Sequence, residues 1–379
     1  MRQRSGDASL LRRLNSAAIL RVLREVDVAT LSELARAVRV SRPTAEVIVD
    51  ELIAEGWAEE WTEDHGDRQR GRPARRFRFR AAAGHVLGVS IGGSSLRAMV
   101  ADLAGTVTAS GCVPGHRHLS AAERLDAATA LAAETAGRAG LALESLAAAG
   151  VGTTGTVDAA GRVVKSVALD DWTGLDLRGE LARRLPVPVL VDNDMRLAVL
   201  AEHWRGAAQG RSDVVYLFTG DRIGMGLLVG GRPHRGAHAA GGEIGSQPND
   251  NWTAFRHVID YAMAAEPGEL RSMRQSADFA IGRARAGEEQ AATAVRELAR
   301  GLAAGLVTVV NPLDPEMVVI GGALASAGDL LVEPVREVFE RHCLYPPEVV
   351  ASALGDDGIV VGAVRLALDH ADQHLFARD

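Results

Sequence analysis

Lysine is almost missing from this chain of 379 residues: Lys165 stands alone, and arginine supplies the rest of the 42 basic positions. With so much Ala and Gly beside it, that bias reflects coding composition, so arginine informs only through its placement. Cysteine is scarce as well. Cys112 and Cys343 lie far apart, and neither sits in a Cys-x-x-Cys, which excludes a disulfide framework and a thiolate zinc site. As reduced thiols both are expected to be inert core or boundary residues. Aromatics make up only 4% of the chain, so Ala, Gly, Val and Leu must fill the interior. No apolar run reaches the roughly 18 residues needed to span a bilayer. The leucines of the N-terminus fall at helical spacing among charges, unlike the unbroken apolar stretch of a signal peptide. The expected location is the cytoplasm.

The chain is too long for one core and suits two or three domains. Its formal charge of −7 is divided unevenly. Residues 1–80 hold 16 Arg and 13 acids, a net of +3, and the remainder holds 26 basic and 36 acidic residues, a net of −10. A positive small domain joined to an acidic large one fits a nucleic-acid reader attached to something else.

The small domain reads as three helices and a hairpin. "SAAILRVLRE" (16–25) places Ile19, Leu20, Val22 and Leu23 on one helical face. Thr30 with Glu33 three residues later is a capping box that starts a second helix. Ser41 caps a third, "RPTAEVIVDELIAEG", in which Pro43 is tolerated in the first turn. Its buried stripe is expected to be Val47, Ile48, Leu52 and Ile53. "WAEEW" and "RRFRFRA" then pair as strands around a loop at 62–74. This is the winged helix-turn-helix order, whose third helix enters the major groove with its N-terminal residues toward the bases. Ser41, Arg42, Thr44 and Glu46 occupy that end. Arg42 can meet a guanine or a phosphate, and Glu46 can accept from a cytosine amine. The plainer alternative is a small helical packing module with a surface arginine.

Residues 68–80, "RQRGRPARRFRFR", gather seven arginines and no acid. "RGRP" is similar to the core of an AT-hook. Pro73 drives Arg72 toward an extended conformation, and Gly71 lets the backbone approach a groove floor. Arg70 and Arg72 then meet the negative potential of a narrow A·T-rich minor groove. Arg75, Arg76, Arg78 and Arg80 alternate with Phe77 and Phe79 and divide between phosphate and solvent. A basic interdomain linker is the alternative.

From residue 84 the pattern changes to α/β. "HVLGVSIGGSSLRAMVADLAGTV" and "DVVYLFTGDRIGMGLLVGGRPHRG" are two strand–glycine turn–strand units, which points to duplicated halves around a cleft. "VPVLVDNDMRLAVLAEHWRGAA" is a buried strand ending in Asp-Asn-Asp, then a helix. "MVVIGGALASAG" is a late strand with Gly-Gly at its tip. In this order, behind "SRPT" and "GRP", these stretches resemble the ROK family (repressors, open reading frames and kinases) from about residue 14 to 368.

The resemblance implies residues 1–82 as a winged helix-turn-helix DNA-binding domain. Residues 83–379 would then be a two-lobed domain of the actin-like, ribonuclease-H-like ATPase type. It further implies that Asn193 and Asp194 match an Asn-Asp pair whose Asn binds a sugar hydroxyl and whose Asp is the kinase base. Glu243 matches a glutamate that holds the sugar, and Arg196 replaces a small residue and is expected to pair with Asp194 or with an acidic ligand group. Asp260 is the counterpart of a last sugar glutamate only across a gap.

Departures from the family pattern matter as much. The first phosphate loop, Asp-x-Gly-Gly-Thr in family kinases, reads Ser90-Ile91-Gly92-Gly93-Ser94; the second, Gly-Thr-Gly-Ile-Gly, reads Gly220-Asp221-Arg222-Ile223-Gly224. A carboxylate beside phosphate repels it. Ser246 stands where a zinc histidine is expected, the family's three cysteines are missing, and His257 is alone. Neither ATP nor zinc is therefore expected.

The leading reading is a transcriptional regulator, a repressor, that binds double-stranded operator DNA as a homodimer or homotetramer under a carbohydrate effector. An ATP-dependent sugar kinase with a fused DNA-binding domain is the first alternative. A regulator whose large domain only dimerises or docks a partner is the second. On the leading reading, Arg72→Ala weakens binding mainly at sites with A·T-rich flanks. A gel-shift series across flank sequences checks this, and equal loss on every sequence would make Arg72 a plain phosphate contact. Glu46→Ala relaxes base preference at one position per half-site, read by randomised-site selection.

Overall fold

The computed structural model describes residues 4–62, 74–115, 119–244, 253–269 and 271–375. Its N-terminal part comprises α1 (Arg4–Glu25), β1 (Ala29–Thr30), α2 (Leu31–Val38), α3 (Arg42–Ala54), β2 (Ala58–Trp61) and β3 (Arg76–Phe79). Local chemistry sets the helix starts. The Thr30 hydroxyl accepts from the Glu33 N–H while the Glu33 carboxylate accepts from the Thr30 N–H at 2.7 Å. Arg39 ends α2 in the left-handed region at φ 59°, and Ser41 caps α3 by accepting from the Thr44 N–H. Together these caps set the helix-turn-helix bend.

Three details differ from the sequence expectation. The first helix begins at Arg4, well before Ser16. The wing is three-stranded, since β1 pairs with β3 on the side away from β2, and Phe77 of β3 is fully buried. Most informative is α3, whose buried face is Ala45, Ile48, Val49 and Leu52, with Ile53 half-buried. Val47 is 50% exposed and leaves the stripe assigned to it. The run Val47-Ile48-Val49 is apolar throughout, and a full turn of helix cannot bury all three. Arg70, Gly71, Arg72 and Pro73 lie outside the described residues.

The first lobe of the large domain contains β4 (His85–Ile91), β5 (Ser95–Asp102), β6 (Val107–Pro114), α4 (Ala121–Arg138), β7 (Ala149–Thr153), β8 (Thr156–Val157), β9 (Val163–Lys165), α5 (Leu177–Ala182), β10 (Val189–Asn193) and α6 (Asp194–Arg205). The second contains β11 (Val214–Thr219), β12 (Ile223–Val229), β13 (Arg232–Pro233), α7 (Arg256–Ala265), α8 (Met273–Arg285), α9 (Glu289–Leu313), β14 (Met317–Gly322), α10 (Asp329–His342) and β15 (Glu348–Ala351). The two sheets run β6-β5-β4-β7-β10 and β13-β12-β11-β14-β15. In each, an antiparallel meander of three strands is followed by two parallel strands. The lobes are therefore duplicated in topology, as the paired glycine turns imply. Cys112 is exposed on β6, which removes it from the core or boundary; Cys343 is half-buried at the end of α10.

The last helix, α11 (Gly358–Leu375), returns from the second lobe to lie across the first. A Cβ on Gly150 of β7 would strike the Ala363 carbonyl, and one on Gly362 would strike the Leu197 carbonyl of α6. Only glycine permits this approach. The outer half of α11 shares one apolar core with the winged helix: Leu368 and Ala371 are buried in the same cluster as Ile19, Leu23 and Phe77. Arg24 seals its edge. Its guanidinium pairs with Asp372, donates to the Leu103 carbonyl at 3.0 Å and lies 5.5 Å from the Phe79 ring centroid. Among the described residues, no helix is long and apolar enough to cross a membrane.

Because this seam is continuous core, the winged helix and first lobe should melt together. Arg24→Ala removes charge-assisted hydrogen bonds and should weaken the seam by about 1–3 kcal/mol. Scanning calorimetry should then resolve an earlier transition for the winged helix. A single unchanged transition would show that the apolar contacts alone hold it.

Candidate ligand cleft and nucleic-acid interface

A cleft of about 790 Å³ opens between the lobes. Its floor is built where β10 turns into α6. Asn193 caps the helix: its side-chain oxygen accepts from the N–H groups of Met195 and Arg196, both at 3.0 Å. Its amide nitrogen donates to the Gly155 carbonyl and to Asp194 Oδ1, both at 2.9 Å. An amide offers two donors and two lone pairs, so Asn193 is used up within the protein. It lines the cleft as the residue that aims Asp194.

Asp194 Oδ1 also accepts from the Met195 N–H at 2.9 Å, and its carboxyl group is half-buried on the cleft wall. Burial pushes its pKa up to about 7; the Met195 N–H counters this, the Glu243 carboxylate adds to it, and Arg196 lowers it. Glu243, exposed on the same wall, follows a loop that runs from His234 through Gly242. Asp194 and Glu243 thus face one space as two carboxylates, a pair suited to accepting from the hydroxyls of a polyol. Asp260, exposed on α7, does not line the cleft.

Arg196 points elsewhere than expected. It is 2% exposed and donates through Nε to Asp192 Oδ1 at 2.6 Å. Its two other nitrogens donate to the carbonyls of Ala239 at 3.0 Å and Val157 at 2.8 Å. Arg235 meets the second Asp192 oxygen at 2.9 Å. The guanidinium therefore pairs with Asp192, four residues back, where it is compensated within a buried network. It fastens the loop that carries Glu243 to β8 and β10. Neither Asp192 nor Arg235 stood out in the sequence.

The cleft is also lined by the two glycine turns, through residues 92–94 and 221–222. There Asp356, from the turn before α11, sits between two arginines. Arg274 of α8 donates to its oxygens at 2.9 and 3.0 Å, and Arg97 of β5 at 3.2 Å. The Arg274 hydrogen bond, with Arg97 behind it, holds the Asp356 carboxyl below its ordinary range. Asp221 accepts from the Arg274 N–H at 3.4 Å. Two carboxylates thus face the space between the glycine turns, where a triphosphate would need cations or metal. The Ser246 position lies outside the described residues. Among those described, His257 is half-buried and no group of three or more His, Cys, Asp or Glu side chains could hold a metal ion. Arg97, Arg274 and Asp356 left no trace in the sequence, because their pairing spans 82 to 259 residues.

On the winged helix, Ser41, Arg42, Thr44 and Glu46 are all exposed at the N-terminal end of α3. The Ser41 and Thr44 hydroxyls lie 2.7 Å apart, and Arg42 makes no hydrogen bond or ion pair among the described residues. Two arginines of the wing are occupied. Arg75 pairs with Glu60 at 3.1 Å and with Asp50 at 3.6 Å, and Arg78 pairs with Glu59 at 2.5 Å.

Residues 86–370 match the family model described as ROK family. Over 96% of this chain and 97% of its own length, a xylose repressor of Caldicellulosiruptor bescii is 22% identical. The crystal structure of a ROK family transcriptional regulator, a homologue of the E. coli MLC protein, covers 96% of both chains with a TM-score of 0.73 at 21% identity. A ROK family glucokinase from Streptomyces griseus, solved with glucose and AMPPNP, covers 76% of this chain and 100% of its own at 27% identity and a TM-score of 0.64. The kinase likeness thus covers about three quarters of the chain, while the regulator likeness extends over nearly all of it. With its family model spanning both lobes, the chain belongs to the ROK family.

Proposed function

We propose that this protein is a transcriptional repressor whose winged helix, residues 1–82, binds double-stranded operator DNA. In this reading residues 83–379 sense a carbohydrate through Asp194 and Glu243. One observation carries it: the winged helix is seated by continuous core on α11, and the other end of that helix begins at the cleft. Ile359 and Asp356 line the cleft while Asp372 holds Arg24. A ligand that changes the angle between lobes would move the seat of the DNA-reading helix. To turn binding from mostly on to mostly off it must prefer one state by on the order of 10⁴-fold, about 5.5 kcal/mol. Full-length similarity to a protein named a xylose repressor supports the regulator reading and makes a pentose the first sugar to try. Two copies acting on paired half-sites would give a homodimer, or a homotetramer as a pair of dimers.

The kinase reading keeps one observation of its own. Asp194, with a pKa near 7, is poised to take a hydroxyl proton. Asp221 and Asp356 oppose it, since both carboxylates face the donor end of the cleft. Sugar-dependent ATP turnover that disappears in Asp194→Asn would establish the kinase reading over the regulator.

A thermal-shift panel of hexoses, pentoses, N-acetylated amino sugars and their phosphates tests the sensor. A true ligand at 100 times its Kd adds about 2.7 kcal/mol of stability, and Asp194→Ala should abolish the shift. The sign of the pH dependence follows from the raised pKa. Asp194 is neutral below about 7 and ionised above it, and a sugar hydroxyl binds the ionised form more strongly. Affinity should therefore rise from pH 5.5 to 8 and level off. In the Asp194→Asn variant the profile should be flat; a profile unchanged by that substitution would remove Asp194 from the site.

A further inference from the structure

We propose that Val47 is a base-reading residue that packs on the C5-methyl group of a thymine in each half-site; this rests on the DNA-binding reading above. The buried face of α3 is Ala45, Ile48, Val49 and Leu52. At 3.6 residues per turn, Val47 then lies about 30° from the direction opposite that face. Pro43 one turn earlier and Asp50 one turn later complete the outward line, and both are exposed. Asp50 is partly neutralised by Arg75, at 3.6 Å. The outward centre of the N-terminal half of α3 is therefore an apolar ridge, Pro43 and Val47.

Charge around the ridge fits DNA. Arg36 in the last turn of α2, Arg39 at its C-cap and Arg42 at the start of α3 are all exposed on the helix-turn-helix that carries it. Cations there meet phosphates on the groove walls, leaving the ridge to face the groove floor. Of the base edges in the major groove, the thymine methyl is the apolar one. A β-branched side chain at the ridge gains by contact with that group and gains nothing from the amines, ring nitrogens and carbonyls beside it. Val47 adjoins Glu46 in the helix, so the two read neighbouring base steps, one by methyl contact and one by hydrogen bond.

The experiment uses the full chain. Randomised-site selection first defines the operator. Each thymine of a half-site is then replaced by deoxyuridine, which removes only the methyl group. Affinities are measured for the wild type and for Val47→Ser, whose exposed position should leave the melting temperature unchanged. At one thymine per half-site, deoxyuridine should weaken the wild type about fourfold, the effect of one buried methyl group. At the same thymine it should leave Val47→Ser unaffected. Equal responses of the two proteins at every thymine would overturn the assignment while leaving DNA binding intact. Failure to enrich any site would overturn the DNA-binding reading itself, and the role of Val47 with it.

Discussion

The close seating of α11 on the first lobe is the constraint from which the rest of the arrangement follows. Its 18 residues span about 27 Å, and backbone carbonyls on either side leave no room for a Cβ at Gly150 or Gly362. The helix is therefore packed backbone to backbone against β7 and α6, and it also lies on β4. Its N-terminus stands at the cleft, with Asp356 shared between an arginine of each lobe. Its C-terminal half contributes Ala367, Leu368 and Ala371 to the core beneath the winged helix. One helix thus joins the cleft wall to the seat of the winged helix.

Two sets of carboxylates line the cleft in unlike surroundings. Around the first, buried Arg196 and half-buried Arg235 both spend their charge on Asp192, which leaves Asp194 and Glu243 as the carboxylates open to a ligand. Burial raises the pKa of Asp194, with the Glu243 carboxylate adding to it, and a hydroxyl that donates to Asp194 favours its ionised form. Around the second set, the Arg274 and Arg97 guanidiniums pair with Asp356, and Asp221 accepts from the Arg274 backbone N–H. In the proposed reading, the first set suits a neutral polyol and the second disfavours a phosphate donor. This is the physical basis for reading the cleft as a sensor built on a kinase frame.

Features set by short-range chemistry were legible before any coordinates. Thr30 with Glu33, and Ser41 with Thr44, cap helices through partners three residues away, and the two glycine turns mark the duplicated sheets directly. Asp194 and Glu243 were legible through family resemblance and do line one cleft. What failed was decided at long range or by competition. Val47, Ile48 and Val49 are equally apolar, and only the packing of α1 and the wing selects which one faces out. β1 is two residues long and carries no periodicity. Arg196 had two acids within reach, and burial beside the Val157 and Ala239 carbonyls decided for Asp192. No local pattern announces Asp356, whose partners arrive from β5 and α8.

The central claim is that α11 couples cleft to winged helix, and reciprocal linkage tests it most directly. Operator affinity would be measured with and without saturating sugar, and sugar affinity with and without saturating operator, in the wild type and in Asp372→Ala. The account predicts one common factor in both directions, rising toward the order of 10⁴-fold for a ligand that turns operator binding from mostly on to mostly off. In Asp372→Ala that factor should shrink toward one while the cleft still binds sugar. A full-sized factor in the variant would contradict transmission through α11, and a factor of one in the wild type would contradict the coupling altogether.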